Sequence, residues 1–189
     1  MSHDLFRQSL AEAIALHETV QKSGGQPLAD AAEAIVASLR QGGTVLVFGN
    51  GGSASDAQHM AAELVGRFQR ERGAMAAIAL TTDTSVLTSV ANDYGFDRVF
   101  ARQIEGIGRK GDVAVAISTS GASANVLAAV GAAAAKGIVT IALTGGNGGA
   151  LGKAAAIHVN VPSGSTPRVQ EVHRTLLHVL CDLVERALS

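Results

Sequence analysis

Residues 44–66, TVLVFGNGGSASDAQHMAAELVG, join a short apolar run to a glycine- and serine-rich loop and then to a helix. An apolar, β-branched run that ends in glycine is typical of a parallel strand buried on both faces, here at 44–49. Ser55 and Gln58 have the spacing of a capping box, which predicts that the helix begins near Ser55 and ends near Gly66. This strand–loop–helix unit indicates an α/β protein.

The same unit recurs later in the chain. DVAVAIST (112–119) predicts a strand, SGAS (120–123) a turn, and residues 124–136 a helix that Gly137 ends. The rest of the chain predicts two helices in the first forty residues, separated at SGGQP (23–27), strands at 76–81, 139–144 and 157–161, a loop at 145–149, and helices at 83–91, at 99–108 and from an N-cap at Thr166 to about Leu188.

Alternating strands and helices with right-handed crossovers favour a doubly wound parallel α/β sheet flanked by helices. The sequence contains no internal linker, so residues 1–189 are expected to form one domain. Residues 1–42 are its N-terminal helical extension, and 43–189 are its α/β core.

Composition excludes several functions. The net charge of −1 gives no electrostatic footprint for nucleic acid, and no apolar run approaches the length of a membrane span. The N-terminus does not resemble a signal peptide, and the single Cys181 excludes an internal disulfide, so a cytoplasmic protein is expected. Only 16% of residues are charged, which suggests that some apolar faces are subunit interfaces.

Two loops that follow predicted strands, 49–55 and 118–123, are rich in glycine and serine. Glycine lets the backbone approach an anion, and hydroxyls and the helix N-terminus supply hydrogen-bond donors. Because ligands bind at the carboxyl ends of parallel strands, two such loops favour a phosphate site over simple turns.

A nucleotide is the poorer ligand. GNGGSA (49–54) matches the dinucleotide fingerprint G-x-G-x-x-A, but Asp83 lies too far along to serve as its acidic partner. The sequence also lacks a P-loop, and a serine-rich loop without nearby basic residues suits a compact sugar-phosphate monoester.

His59 and Glu63 are four residues apart on the helix after the first loop, so they share one face. A solvated polar face is the alternative, but their position after a phosphate-type loop favours a functional pair. On the last helix, His178 lies among leucines and is predicted to be a core residue, whereas Glu171 and His173 are predicted to face solvent.

Four separated blocks resemble the bacterial phosphoheptose isomerases, which are sugar-isomerase (SIS) domain proteins. The blocks are GNGGSASDAQHMAAELVGRF (49–68), LTTDTSVLTSVANDYGF (80–96), ISTSGASANVL (117–127) and TPRVQEVHRTLLHVLCDLVE (166–185). The resemblance implies a doubly wound SIS domain and a homotetramer with active sites at subunit interfaces. It implies conversion of D-sedoheptulose 7-phosphate to D-glycero-D-manno-heptose 7-phosphate by an enediol mechanism. That is the first step of nucleotide-activated heptose synthesis for lipopolysaccharide core or other surface glycans.

The resemblance also implies residue roles. Glu63 and His178 match the acid–base pair of the family, and the ligands of one zinc ion per subunit, where present, match His59, Glu63, Gln170 and His178. Residues that match substrate contacts are Asn50, Gly51, Gly52, Ser53, Glu63, Asn92, Asp93 and Gln170, with Ser118, Thr119, Ser120 and Ser123 holding the phosphate.

Gln170 and His178 are eight residues apart, about 12 Å along a helix, whereas zinc ligands lie about 2 Å from the metal. Either Gln170 reaches inward from the helix start, or the two ligands come from different chains.

Two other functions stay open. Some SIS relatives are non-catalytic tetrameric scaffolds that bind the replication initiator protein, and they carry non-catalytic residues where this chain has Glu63 and His178. The presence of both residues favours an enzyme. An isomerase of another ketose phosphate is the second alternative, because pocket length cannot be read from sequence. A sugar-phosphate-sensing regulator usually adds a DNA-binding domain, for which 189 residues leave no room.

Overall fold

The computed structural model describes residues 3–23 and 25–189; residues 1, 2 and 24, which belong to the predicted helical extension and its break, lie outside it. Within the described residues the chain runs α1 (His3–Lys22), α2 (Gln26–Arg40), β1 (Val45–Gly49), α3 (Gly52–Val65), β2 (Ala77–Ala79), α4 (Thr84–Tyr94), a 3₁₀ turn (Phe96–Arg98), α5 (Ala101–Ile107), β3 (Val113–Ser118), α6 (Ala124–Ala135), β4 (Val139–Gly145), α7 (Gly149–Ala154), β5 (Ile157–Val161) and α8 (Thr166–Leu188).

The strands form a parallel sheet in the order β2-β1-β3-β4-β5, which confirms the doubly wound α/β fold. The chain moves outward from β1 to β2, returns to β3 beside β1, and then continues in the opposite direction. The loops after β1 and β3 therefore diverge at the same edge of the sheet and open a crevice, which is where ligands bind in such sheets.

Helices cover both faces of the sheet. On one face, Val47, Val115 and Ile141 pack under α2, α3 and α8, and on the other, Phe48, Ala116 and Ala142 pack under α5, α6 and α7. These side chains are almost wholly buried. The strands are apolar on both faces because both faces are covered. Helix α1 packs outside this layer, against α8 through Leu16 and Val20.

The capping-box prediction at Ser55 is wrong. Helix α3 begins at Gly52, directly after Gly51, whose φ of +56° lets the chain turn into the helix as soon as β1 ends. Glycine geometry thus starts the helix without a side-chain cap. This start lies one turn earlier than the capping motif indicated.

Two smaller predictions also need correction. The N-cap of α8 is Ser165 rather than Thr166, which is the first helical residue. Gly149, the last residue of the predicted loop at 145–149, begins α7, a six-residue helix that the sequence did not predict. Such a helix is too short for hydrophobic periodicity to reveal.

None of the helices formed by the described residues is long and apolar enough to cross a membrane.

Candidate active site

The two glycine-rich loops are joined by a pair of side-chain amides. Asn50, directly after β1, donates from Nδ2 to Oδ1 of Asn125 at 2.9 Å, and Asn125 returns the same bond at 2.9 Å. Asn125 lies in the first turn of α6 and is buried. Since each amide satisfies the other, the loops are held together across the crevice.

The loop after β3 gathers three serine hydroxyls at the N-terminus of α6. Oγ of Ser118 lies 3.0 Å from Oγ of Ser123 and 3.4 Å from Oγ of Ser120. The backbone N–H of Ala122 donates to Ser120 Oγ at 3.2 Å. Hydroxyls and unpaired N–H groups at a helix start form a neutral anion-binding surface.

Helices α3 and α8 run parallel and meet along a polar seam. At its start, a Cβ on Gly52 would come within 2.4 Å of Gln170 Nε2, so a larger residue at position 52 would displace the end of the Gln170 side chain. One turn further, the Arg174 Nε donates to the buried Asp56 carboxylate at 2.7 Å. Gln170 thus meets the start of α3, about two turns before His59.

Two turns into α3, the seam brings His59, Glu63 and His178 together. Nε2 of His59 lies 2.9 Å from Nε2 of His178 and 3.2 Å from Oε1 of Glu63. The side chains of His59 and Glu63 are 32% and 21% exposed, so a ligand can reach them. One donor atom from each of the three residues fits within a 4.8 Å cluster.

The surroundings of His59 favour its neutral imidazole. Burial lowers the pKa of His59, and the positive charge of Arg174 lowers it further, against the opposing effect of Glu63. A neutral imidazole can accept a hydrogen bond or bind a metal ion through its free nitrogen.

The predictions for the two histidines of α8 are both wrong. His173 does not face solvent: it is fully buried, and its Nε2 donates to the carbonyl of Thr144 at 3.0 Å. His178 is not a core residue: it is half-buried and faces His59. Helix α8 turns His173 toward the sheet and His178 toward α3.

Of the other predicted site residues, Ser53 and Thr119 lie in the two strand–helix connections, whereas Asn92 and Asp93 lie apart from them, on α4. Asn92 and Asp93 are exposed at the end of α4, where Asn92 donates to Asp93 at 2.8 Å. Ser53 is buried in the first turn of α3, and Thr119 is half-buried after β3.

Sequence reasoning missed Asn125, Asp56 and Arg174. Asn125 lies two residues after Ser123, and its position at the start of the predicted helix could have marked it as a candidate. The pairing of Asp56 with Arg174 depends on the packing of two helices far apart in sequence and left no local signal.

Comparison with known proteins shows which proteins share the sequence and the fold of this chain. Residues 8–145 match the family model described as SIS domain. The chain is 56% identical over 157 residues to a phosphoheptose isomerase of Roseiflexus sp. (strain RS-1), a match that covers 83% of this chain and 80% of that protein.

Two solved structures share the fold of this chain over nearly their whole length. Phosphoheptose isomerase GmhA from Neisseria gonorrhoeae is 45% identical with a TM-score of 0.92, covering 97% of this chain and 98% of that chain. A phosphoheptose isomerase from Francisella tularensis is 39% identical with a TM-score of 0.95, covering 98% and 99%. The chain belongs to the phosphoheptose isomerase family. As a member, it is a sugar-phosphate isomerase built on a SIS domain.

The cluster of His59, Glu63 and His178 has the composition of a divalent metal site. Imidazole nitrogens and a carboxylate oxygen are ligands that zinc prefers. Two ring nitrogens that face each other at 2.9 Å must share a proton or a metal ion. The cluster can therefore hold a divalent metal.

Proposed function

We propose that this chain converts D-sedoheptulose 7-phosphate to D-glycero-D-manno-heptose 7-phosphate in the cytoplasm, as the first step of nucleotide-activated heptose synthesis. The observation that carries the proposal is the meeting of Glu63 with His59 and His178 within 4.8 Å, in a chain of this family. A carboxylate and a histidine at one point are the groups that ketose–aldose isomerisation needs. A non-catalytic scaffold does not need these groups for its function.

The phosphate is bound by the loop after β3. Ser118, Thr119, Ser120 and Ser123 supply hydroxyls, and the start of α6 adds unpaired N–H groups. Asn50, Gly51, Gly52 and Ser53 contact the sugar from the loop after β1, and Asn92, Asp93 and Gln170 complete the substrate contacts. Neutral donors suit a phosphate monoester, which brings its own charge into the crevice.

Proton transfer between carbons is assigned to Glu63. Its carboxylate removes a proton from C1 of the ketose while His178 gives a proton to the C2 oxygen, which produces a cis-enediol. His178 then removes the proton from the C1 oxygen, C1 becomes the carbonyl carbon, and Glu63 returns its proton to C2. Each residue ends in the state in which it began.

His59 holds Glu63 in place, since their side chains approach to 3.2 Å. In a zinc-bound form, the metal would be held by His59, Glu63 and His178, with Gln170 as the proposed fourth ligand. Its Lewis acidity would then support negative charge on the sugar oxygens in place of the proton carried by His178.

A homotetramer with active sites at subunit interfaces is part of the proposal. Leu5, Phe6, Leu10 and Ile14 of α1 are each more than half exposed. Apolar surface of this extent on one helix is typical of a protein–protein contact.

Substitution Glu63→Gln tests the proposal. It keeps the size of the side chain and removes the base, so we expect kcat to fall by about 10²- to 10⁴-fold in assays with sedoheptulose 7-phosphate. KM should change little, because the phosphate loop is intact. Glu71→Gln, at a side chain that is 92% exposed, is the matched control. Activity of Glu63→Gln close to that of the control would remove Glu63 from its assigned role.

A further inference from the structure

A charged side chain outside the proposed reaction centre is buried completely. Glu185, on α8, is fully inaccessible to solvent. Its carboxylate accepts hydrogen bonds from three successive backbone N–H groups, those of Phe68 at 2.9 Å, Gln69 at 2.8 Å and Arg70 at 2.9 Å. It also lies 3.3 Å from Nε of Arg72, whose side chain is 4% exposed. We call Glu185, Arg72 and these three N–H groups the carboxylate clamp.

Arg72 connects the clamp to the helix that carries Glu63. Its guanidinium donates to the carbonyls of Glu63 at 2.8 Å, Leu64 at 2.8 Å and Gly66 at 3.1 Å. The last carbonyls of a helix have no partner within the helix, so Arg72 caps the C-terminus of α3. The backbone position of Glu63 is thereby tied to Glu185.

The clamp also reaches His178. Phe68, held by its N–H on Glu185, places its ring against the imidazole of His178, with 5.5 Å between ring centroids. The same imidazole also contacts His59, with 5.1 Å between ring centroids. Phe68 therefore restricts the orientations in which His178 can present Nε2 to the cluster.

Stability alone does not account for this arrangement. Burying a carboxylate and a guanidinium removes both from water, and well-packed apolar residues often serve the fold as well or better. What apolar residues cannot do is fix three consecutive N–H groups and three carbonyls at defined positions. The clamp fixes the segment 66–73, which begins three residues after Glu63.

We propose that Glu185 is a positioning residue of this enzyme: through the carboxylate clamp it fixes the end of α3 beneath Glu63 and the ring of Phe68 against His178. The inference rests on the proposed function, in which Glu63 and His178 exchange protons with the substrate. Loss of the clamp should therefore affect the chemical step more than substrate binding, since the phosphate loop after β3 does not touch it.

The first test compares Glu185→Gln with the wild-type protein in steady-state kinetics. We expect kcat to fall by about 10- to 100-fold, the effect of a small misplacement of catalytic groups, with KM changed by less than roughly threefold. Val184→Ala is the matched control, because it removes buried apolar volume from the neighbouring position of α8 and leaves the clamp intact. Equal kcat losses in both variants would reduce Glu185 to a structural residue and overturn the proposal.

The second test does not depend on activity. The Phe68 ring shifts the imidazole resonances of His178 in NMR spectra of histidine-labelled protein, and Phe68→Leu identifies this shift by removing the ring while keeping the clamp. Glu185→Gln should move the His178 resonances in the same direction as Phe68→Leu, and Val184→Ala should not. An unmoved His178 signal in folded Glu185→Gln would overturn the proposal.

The two readouts separate the inference from the function on which it rests. A wild-type protein that does not isomerise sedoheptulose 7-phosphate refutes the proposed function, while the NMR comparison still decides whether Glu185 sets the position of Phe68 on His178. If Glu185→Gln does not fold, Phe68→Leu decides: a loss of kcat with KM retained supports the proposal, and unchanged kcat overturns it.

Discussion

Glu185 keeps its negative charge inside the protein because its hydrogen bonds outweigh the cost of burial. Burial by itself raises the pKa of this carboxyl, but the backbone N–H groups of Gln69, Phe68 and Arg70, together with the charge of Arg72, bring the pKa below its ordinary value. A group whose pKa is lowered on folding stabilises the folded state only while it is ionised.

This shift predicts a pH dependence of stability. The contribution of Glu185 is fully present above the unfolded-state pKa of about 4.3 and is lost as the pH falls through the lower folded-state pKa. Glu185→Gln should lower the free energy of unfolding at pH 7 by about 3–5 kcal/mol, because Arg72 is left unpaired, and should flatten the fall in stability below pH 5. Urea unfolding at fixed protein concentration between pH 7 and pH 3 measures both.

The control for this experiment is Glu105→Gln, at a partly exposed ion pair with Arg98. Exposed pairs contribute little, so its pH profile should follow that of the wild type. An acid profile of Glu185→Gln as steep as the wild-type profile would contradict the assignment.

At the same scale, the sequence predicted one half of the reaction centre better than the other. His59 and Glu63 lie four residues apart on one helix, so their shared face followed from helix geometry alone. His178 and His173 could not be distinguished in this way. Which of them faces α3 and which faces the sheet depends on how α8 is rotated in the packed molecule. Composition around His178 therefore indicated a core residue, and only the family resemblance assigned it a role.

At the scale of elements, the site depends on how β1, β3 and their helices meet. The strands were predicted closely because apolar runs ending in glycine or serine are distinctive. The start of α3 was not, because the positive φ of Gly51, rather than a side-chain cap, sets it. The amide pair between Asn50 and Asn125 was also missed, because it joins loops 75 residues apart in sequence.

The amide pair of Asn50 and Asn125 leads to a prediction about the two loops. Asn125→Asp keeps the shape but turns a donor into an acceptor, so Asn50 Oδ1 loses its partner and faces a buried negative charge. We expect a loss of at least about 2 kcal/mol in the free energy of unfolding and a KM several-fold higher, because the loops are no longer held together. Denaturant unfolding and steady-state kinetics measure the two effects.

Asn147→Asp is the matched control, because Asn147 uses its side-chain oxygen as an acceptor in an exposed loop and an aspartate can do the same. If Asn125→Asp and this control have the same stability and the same KM, the amide pair does not organise the crevice.

At the scale of the whole molecule, α1 is the element that the single chain explains least. None of its described residues is buried, although the helix is 20 residues long. Phe6, Leu10 and Ile14 recur every four residues and form an exposed apolar stripe, of which Leu10 and Ile14 border the cleft between α1 and α8. The low share of charged residues pointed to such a face, but its location required the packing of α1 against α8.

We expect other copies of the chain to cover this stripe. The wild-type protein should have the mass of four chains in light scattering coupled to size exclusion, and Ile14→Glu should dissociate it by placing a charge in an apolar contact. Thr19→Glu adds the same charge at an exposed residue of α1 outside the stripe and should leave the mass unchanged. A wild-type monomer would contradict the tetramer and the interfacial sites.

The most direct test of the central claim is proton NMR of the purified protein incubated with sedoheptulose 7-phosphate in D₂O. The account predicts a new anomeric signal of the heptose 7-phosphate, with the deuterium content at C2 reporting how well Glu63 shields the transferred proton from solvent. It predicts no such signal with Glu63→Gln. Absence of conversion by the wild-type protein, both with and without added Zn²⁺, would contradict the claim that His59, Glu63 and His178 form the reaction centre of a phosphoheptose isomerase.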